Sequence, residues 1–103
     1  MDYKSFKISL SGVDRLRIEI FKRDHDINEF VVQYEALIKG EWREVVRYDN
    51  RGKPPHADIY DVKGRRYKEE IPDIKPKLLI PWCIEDLKGN WKRYKKRYLR
   101  WIK

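Results

Sequence analysis

The stretch Phe30–Tyr48, FVVQYEALIKGEWREVVRY, carries the strongest strand signal of the chain and decides the fold. Two runs rich in β-branched and aromatic residues, Phe30–Ile38 and Trp42–Tyr48, flank the turn segment Lys39-Gly40-Glu41. Two such runs separated by a short segment that contains glycine are typical of a β-hairpin. We therefore expect an antiparallel sheet built around this hairpin.

The loop length sets which residues of the hairpin face each other. A two-residue loop would place Glu35 opposite Glu44, and directly opposed like charges destabilise a sheet. We therefore expect a three-residue loop with Gly40 in the left-handed region. This register leaves Glu44 as the one misfit on the apolar face. It pairs Ile38 with Trp42, Tyr34 with Val46 and Val32 with Tyr48, and it places Gln33, Glu35, Arg47 and Asp49 on the opposite, more polar face.

The segments on either side of the hairpin extend the sheet. Alternating apolar residues in 6–10 and 16–20 predict two half-buried strands, and the polar segment 22–28 predicts a loop. Residues 50–55 contain two prolines and a glycine, which predict an irregular loop. Two further short strands are expected at 59–62 and 66–70.

The C-terminal segment predicts one amphipathic helix that begins at Pro81, because proline suits the first helical turn. Its apolar residues recur every three or four positions and are expected to pack on the sheet: Ile84, Leu87, Trp91, Tyr94, Tyr98 and Trp101. The predicted fold is α+β, an antiparallel, strongly curved β-meander covered by this helix. We expect a single domain over 1–103, divided into the meander (1–71), a proline-containing linker (72–80) and the basic helix (81–103).

The composition excludes several classes of protein. A chain of 103 residues has room for one core. Its longest apolar run, Leu78–Ile84, has seven residues, whereas a membrane-spanning helix needs about twenty. The single cysteine, Cys83, cannot form an internal disulfide and is expected to be buried. We expect a cytoplasmic protein without membrane association, and the scarcity of Asn, Gln and Met beside abundant charge is typical of thermophiles.

The net charge of +8 belongs entirely to the last sixteen residues. Residues 1–87 contain 17 basic and 17 acidic side chains, whereas residues 88–103 contain eight basic side chains and no acidic one. This excess predicts nucleic-acid binding through phosphate contacts, to RNA rather than DNA. The predicted binding residues are Lys92, Arg93, Lys95, Lys96, Arg97, Arg100 and Lys103. An acidic protein, such as an antitoxin, is the alternative partner, and the chain is expected to be a monomer or a homodimer.

The segment 47–58 brings together side chains suited to acid–base chemistry. Cleaving RNA without a metal requires a base for the 2′-hydroxyl, an acid for the leaving oxygen and a cation on the phosphate. His56 suits acid or base because its ordinary pKa lies near neutrality, and Arg47 suits the phosphate. Asp49 or Asp58 would orient the histidine. These residues equally suit turns and ion pairs without any catalytic role. Too few ligands accompany the histidine for a typical metal site, so no metal and no cofactor is expected.

Arg47-Tyr48-Asp49-Asn50, followed by His56 and Asp58, resembles the RYDN…H.D pattern of a family of small archaeal and bacterial proteins in which a Trp- and Tyr-containing helix follows. The same segment is distantly similar to the TumE-like toxins of prokaryotic toxin–antitoxin pairs, whose strand ends in R-x-DN and continues to Pro-His-His. The resemblance implies a toxin-like or toxin-derived fold and a ribonuclease-like site. Ala57 stands where those toxins carry their second histidine, so a two-histidine mechanism is not open to this chain.

Overall fold

The six predicted strands are all present, but the third strand begins at Asp26, within the predicted loop, and the fifth strand is His56–Tyr60 rather than 59–62. The computed structural model describes residues 2–52 and 54–101, with Trp101 described by its backbone alone. Its strands are β1 (Asp2–Ser11), β2 (Asp14–Arg23), β3 (Asp26–Ile38), β4 (Glu41–Asp49), β5 (His56–Tyr60) and β6 (Arg66–Glu70). They are followed by the helix α1 (Pro76–Tyr98) and a single 3₁₀ turn, Leu99–Trp101.

The six strands form one antiparallel sheet in the order β1-β2-β3-β4-β5-β6, so each strand pairs with the next along the chain. This meander and its helix confirm the predicted α+β class. The expected strong curvature is wrong, because the sheet is open and not strongly curled. One helix of 23 residues, about 34 Å long at 1.5 Å per residue, covers the apolar face of the central strands. The sheet therefore buries its core without wrapping around itself.

The turn between β3 and β4 is shorter than predicted. Lys39 and Gly40 have φ angles of 51° and 80°, so both lie in the left-handed region. Two consecutive residues of this kind make the type I′ turn that fits the twist of a hairpin. Ile38 consequently pairs with Glu41, and the predicted three-residue loop is wrong.

A β-bulge at Val45 restores the predicted register in the rest of this hairpin. Glu35 pairs with Glu44, and one extra residue, Val45, separates that pair from the pair of Tyr34 with Val46. A bulge of this kind reverses the facing of all residues on one side of it. Glu44, which the predicted register places on the apolar face, therefore lies on the polar face.

The turn between β2 and β3 replaces the loop predicted for 22–28. Asp24 and His25 have φ angles of 52° and 74° and connect the two strands directly, so that Arg23 pairs with Asp26. Aspartate and histidine adopt positive φ more readily than most residues do. The polar composition that suggested a loop therefore belongs to two strand ends and a tight turn.

The helix begins five residues earlier than predicted. Pro76 occupies its first turn, and Pro81 lies inside it. Both prolines fit the composition of a helix start, and in the helix that begins at Pro76 the side chains of Leu79 and Ile80 are buried in the core. Most of the predicted linker at 72–80 is consequently helical. Within the part of the chain that the structure describes, no helix is long and apolar enough to span a membrane.

The core lies between the helix and the apolar face of the sheet. Leu87, Tyr94 and Tyr98 are buried there, and Ile84 and Trp91 pack at its margin, as predicted from their spacing. The side chain of Trp101 lies outside the described residues. Burial of Tyr94 and Tyr98 shows that these two aromatic residues serve packing rather than base stacking.

An ion pair joins the helix to the start of β2. The Asp14 carboxylate is 1% exposed and accepts hydrogen bonds from the Ser11 hydroxyl at 2.6 Å and the Tyr34 hydroxyl at 2.5 Å. The Lys95 ammonium lies 3.1 Å from one carboxylate oxygen. Burial alone would raise the pKa of Asp14, but these three donors outweigh burial and lower its pKa below the ordinary value. Lys95 therefore has a structural role as the countercharge of Asp14.

Replacing this lysine tests that role. Lys95→Met leaves the buried carboxylate with two hydroxyl donors and no countercharge, so we expect a loss of about 1–3 kcal/mol in the free energy of unfolding. Urea denaturation followed by circular dichroism measures it. Lys96→Met, the same change at an exposed neighbour, should stay within about 0.5 kcal/mol of wild type. Equal losses in both variants would contradict the assignment.

The same site predicts a pH dependence. Because the folded state lowers the pKa of Asp14 below 3.8, its stabilisation is complete above the unfolded pKa and is lost as pH falls through the folded pKa. The difference in unfolding free energy between wild type and Asp14→Asn should therefore be constant near neutrality and shrink below about pH 4. A difference that stays constant down to pH 2 would show that the Asp14 charge is not stabilising.

Candidate functional site

Strand alternation divides the RYDN segment between the two faces of the sheet. Tyr48 and Ala57 point into the core, where the Tyr48 hydroxyl donates a hydrogen bond to Asp86 of the helix. Neighbouring residues on a strand point to opposite faces. Arg47, Asp49, His56 and Asp58 therefore lie together on the polar face, with Arg47 opposite Asp58 and Asp49 opposite His56.

Asp49, His56 and Asp58 form one compact group, which we call the acid–imidazole cluster. The Nε2 atom of His56 lies 3.5 Å from Oδ2 of Asp58 and 3.8 Å from Oδ1 of Asp49. Both carboxylates are buried, at 6% exposure for Asp49 and 5% for Asp58. The structure thus brings together three of the four predicted catalytic residues and adds that His56 belongs to a strand rather than to a loop.

Surrounding groups hold the cluster in place. Nδ1 of His56 lies 3.1 Å from the carbonyl oxygen of Pro54. The Asp49 carboxylate accepts hydrogen bonds from Nε of Arg47 at 3.0 Å and from the backbone N–H of Arg51 at 3.1 Å. Arg47, the fourth predicted catalytic residue, therefore forms an ion pair with Asp49.

Asn50 has a structural role. Its side-chain oxygen accepts a hydrogen bond from the backbone N–H of Phe30 at 3.0 Å, and its amide nitrogen donates to the carbonyl oxygen of Asn28 at 3.2 Å. These bonds tie the end of β4 to the start of β3. The last residue of the RYDN pattern therefore positions the strand that carries Arg47 and Asp49.

The polar face continues from the cluster across the sheet. Gln33, Glu35, Arg47 and Asp49 share it, as the alternation predicted. The Glu35 carboxylate lies 2.8 Å from Nε of Arg15 and 3.6 Å from Nε of Arg17, and it accepts a hydrogen bond from Gln33 at 2.6 Å. These partners neutralise Glu35, which explains why the sheet tolerates Glu44 opposite it.

Buried polar atoms without a hydrogen bond gather on this face. Among the described residues they are Nε of Arg17, Oε1 of Gln33, Oε1 of Glu44 and Oδ1 of Asp58. A buried polar atom without a partner is costly and points to an unassigned ligand or water. Sequence analysis missed Glu44 as a member of this face because the bulge at Val45 leaves no recognisable signal in the sequence.

The basic residues of the helix lie on the other side of the molecule. Arg93, Lys96, Arg97 and Arg100 line an open groove of about 570 Å³, which we call the basic groove. Of the other predicted binding residues, Lys92 is exposed, Lys95 is bound to Asp14, and Lys103 lies outside the described residues. The helix packs against the apolar face of the sheet, so the basic groove and the acid–imidazole cluster are separated by the sheet.

Cys83 is the buried core residue that the sequence predicted. It is fully buried. Burial, reinforced by the nearby Asp86 carboxylate, raises the pKa of its thiol to about 12. A thiol in this state is neither a nucleophile nor a metal ligand at neutral pH.

Glu44 provides a test of the polar face. Burial, with a contribution from Asp58, raises the pKa of its carboxyl above the ordinary value, against the opposing effects of Tyr60 and Arg47. The ionised form therefore destabilises the fold above the folded pKa, and this cost disappears below the unfolded pKa of 4.5. Glu44→Gln should raise the melting temperature at pH 7, by a margin that narrows as pH falls toward 4.5.

The matched control is Glu41→Gln, because the Glu41 carboxylate is 67% exposed and paired with Arg43 on the surface. This control should leave the melting temperature nearly unchanged, since exposed ion pairs contribute little. A lower melting temperature for Glu44→Gln at pH 7 would mean that the Glu44 charge is needed by the fold.

The whole length of the chain matches one known family. A family model described as a domain of unknown function, DUF7718, covers residues 1–103. Searches of curated proteins and of solved structures gave no match. None of these comparisons links the chain to the TumE-like toxins. The chain belongs to the DUF7718 family.

Proposed function

We propose that this protein binds nucleic acid, RNA in preference to DNA, through the basic groove of its C-terminal helix. The observation that carries the proposal is the arrangement of Arg93, Lys96, Arg97 and Arg100 around one open groove. Arg93, Lys96 and Arg97 follow the spacing i, i+3 and i+4, which places side chains on one face of a helix, and Arg100 follows in the 3₁₀ turn. Together they span about 10 Å of the helix axis.

The charge of the groove is poorly neutralised by the rest of the protein. Among the described residues, the groove is paired with the carboxylate of Glu69, whose Oε1 atom lies 4.0 Å from a terminal nitrogen of Arg97. Arg97 also stacks over the ring of Tyr67 at 5.2 Å, and Arg93 over that of Tyr94 at 4.9 Å. These contacts hold two guanidinium groups in the groove while leaving their charge available to an anion.

The packing of the helix aromatic residues limits which parts of a nucleic acid the groove can contact. Tyr94 and Tyr98 are buried in the core, and Trp91 packs edge-on against Tyr34 at 6.0 Å. They are not free to stack on bases. Binding would therefore rest on phosphate contacts, which supply affinity and salt dependence but little sequence preference.

The proposal concerns binding and does not include cleavage. The ribonuclease activity implied by the resemblance would need Arg47 and His56 near the bound strand. Those residues lie on the polar face, across the sheet from the basic groove. We therefore do not extend the proposal to cleavage.

Salt dependence of RNA binding tests the proposal. If four cations contact phosphates, log K should fall with log salt at a slope of about −3 for a single strand. The variant with Arg93, Lys96, Arg97 and Arg100 all changed to glutamine should lose most of this slope and at least tenfold in affinity at low salt. Fluorescence anisotropy with labelled oligoribonucleotides of two unrelated sequences, and with the matching DNA, measures both effects.

A control with the same change in net charge separates the groove from general electrostatic attraction. Lys4, Lys7, Lys22 and Arg23 are exposed on β1 and β2. Their joint change to glutamine should leave the slope and the affinity close to wild type. Equal effects of the two quadruple variants, or binding of an acidic polypeptide with no detectable binding of RNA, would overturn the proposal.

A further inference from the structure

In the acid–imidazole cluster, electron-pair donors of three side chains face one another. The carbonyl oxygen of Pro54 can only accept a hydrogen bond, so Nδ1 of His56 carries the proton that binds it. In the neutral ring, Nε2 then presents a lone pair toward the carboxylates of Asp49 and Asp58. Three electron-pair donors consequently face one another, and the ligand atoms all lie within 4.8 Å of each other.

The distances in the cluster suit a bound cation better than direct hydrogen bonds. Separations of 3.5 and 3.8 Å between Nε2 of His56 and the two carboxylate oxygens exceed those of good hydrogen bonds. Ligand atoms bound at about 2.0–2.2 Å around a tetrahedral metal lie roughly 3.3–3.6 Å apart. Shifts of a few tenths of an ångström would bring Nε2 of His56 to these separations from each carboxylate, whereas the Asp49 and Asp58 oxygens, which lie within 4.8 Å of each other, would have to approach by up to about 1.5 Å.

A second observation concerns the other oxygen of the Asp58 carboxylate, Oδ1. The Asp58 side chain is 5% exposed, and its Oδ1 atom has no hydrogen-bond partner. Nε of Arg66 lies 4.0 Å from this oxygen, which is beyond hydrogen-bond distance. A buried carboxylate oxygen without a partner is costly, and a metal ion would remove that cost.

Neighbouring groups fix the orientation of the side chains in the cluster, as hydrogen-bond partners commonly do for the ligands of a metal ion. The Pro54 carbonyl fixes the tautomer and the plane of His56, and the backbone N–H of Arg51 binds one Asp49 oxygen. Such contacts are usual behind the histidine and carboxylate ligands of metal sites. Arg47, bound to the other Asp49 oxygen, offsets part of the negative charge and leaves the Asp58 carboxylate as the stronger ligand.

We propose that Asp49, His56 and Asp58 bind one divalent transition-metal ion, Zn²⁺ or Mn²⁺, on the polar face of the sheet. One imidazole nitrogen with two carboxylates is a donor set for these ions rather than for Ca²⁺, which takes oxygen ligands alone. Asp49 and His56 are opposite on neighbouring strands, and His56 and Asp58 are two residues apart on one strand. The backbone ladder therefore holds all three ligands, and the ion keeps open positions for water or another ligand.

The chain contains a matched control for this site. His25 is flanked by Asp24 and Asp26 in the exposed turn between β2 and β3, so it has the same residue types without their convergence. Isothermal titration of the chelator-treated full chain with Zn²⁺ should show one ion bound per chain. His56→Ala and Asp58→Asn should each weaken binding at least tenfold, whereas His25→Ala should leave it unchanged.

A measurement on the wild-type chain keeps the test independent of the folding of these variants. In NMR spectra of the histidine rings, substoichiometric Mn²⁺ should broaden the signals of His56 and leave those of His25 sharp. Absence of stoichiometric Zn²⁺ binding would overturn the proposal. The cluster would then be an ion pair between His56 and the two carboxylates. Equal broadening of both rings, or equal loss of Zn²⁺ binding in His25→Ala, would overturn it as well.

Discussion

The central strand β3 is buried on both faces, although only one face has a helix to cover it. Seven consecutive residues, Phe30–Ala36, are buried. Four of them pack beneath the helix, and the other three, Val31, Gln33 and Glu35, face away from it. On that side, Arg15 binds Glu35 and stacks over the ring of Trp42 at 3.8 Å. Long side chains of neighbouring strands thus cover the polar groups of β3, and the polar face must satisfy its charges largely within itself.

This constraint explains where the unsatisfied groups remain. The ion pairs around Glu35 use the arginines of β2, whereas Glu44 and Asp58 on the next strands keep oxygen atoms without a hydrogen bond. The acid–imidazole cluster lies at the end of the same face, held by the β4–β5 pairing. The basic groove is formed on the far side of the sheet, so the two candidate sites do not depend on each other. A ligand at one can be tested without disturbing the other.

Local patterns in the sequence predicted the parts of the fold that local physics controls. The strands, the helix and its buried row follow from the alternation and the three-to-four spacing of apolar residues, which depend only on backbone geometry. The start of the helix was misplaced because Pro76 and Pro81 carry the same local signal, and only burial of Leu79 and Ile80 separates them. The sequence did not predict the bulge at Val45. The two-residue turn pairs Glu35 with Glu44, and an extra residue, Val45, is then needed for Tyr34 to pair with Val46.

For the functional surfaces, the sequence by itself determined which residues carry charge and which carry acid–base chemistry. It located the whole excess of positive charge in residues 88–103 and singled out Arg47, Asp49, His56 and Asp58. Only the tertiary structure decided their roles. Lys95 is bound to Asp14, far away in sequence, and is lost to any ligand. Asp49 joins His56 because strand pairing places them side by side. Such contacts join residues distant along the chain, and no local pattern in the sequence records them.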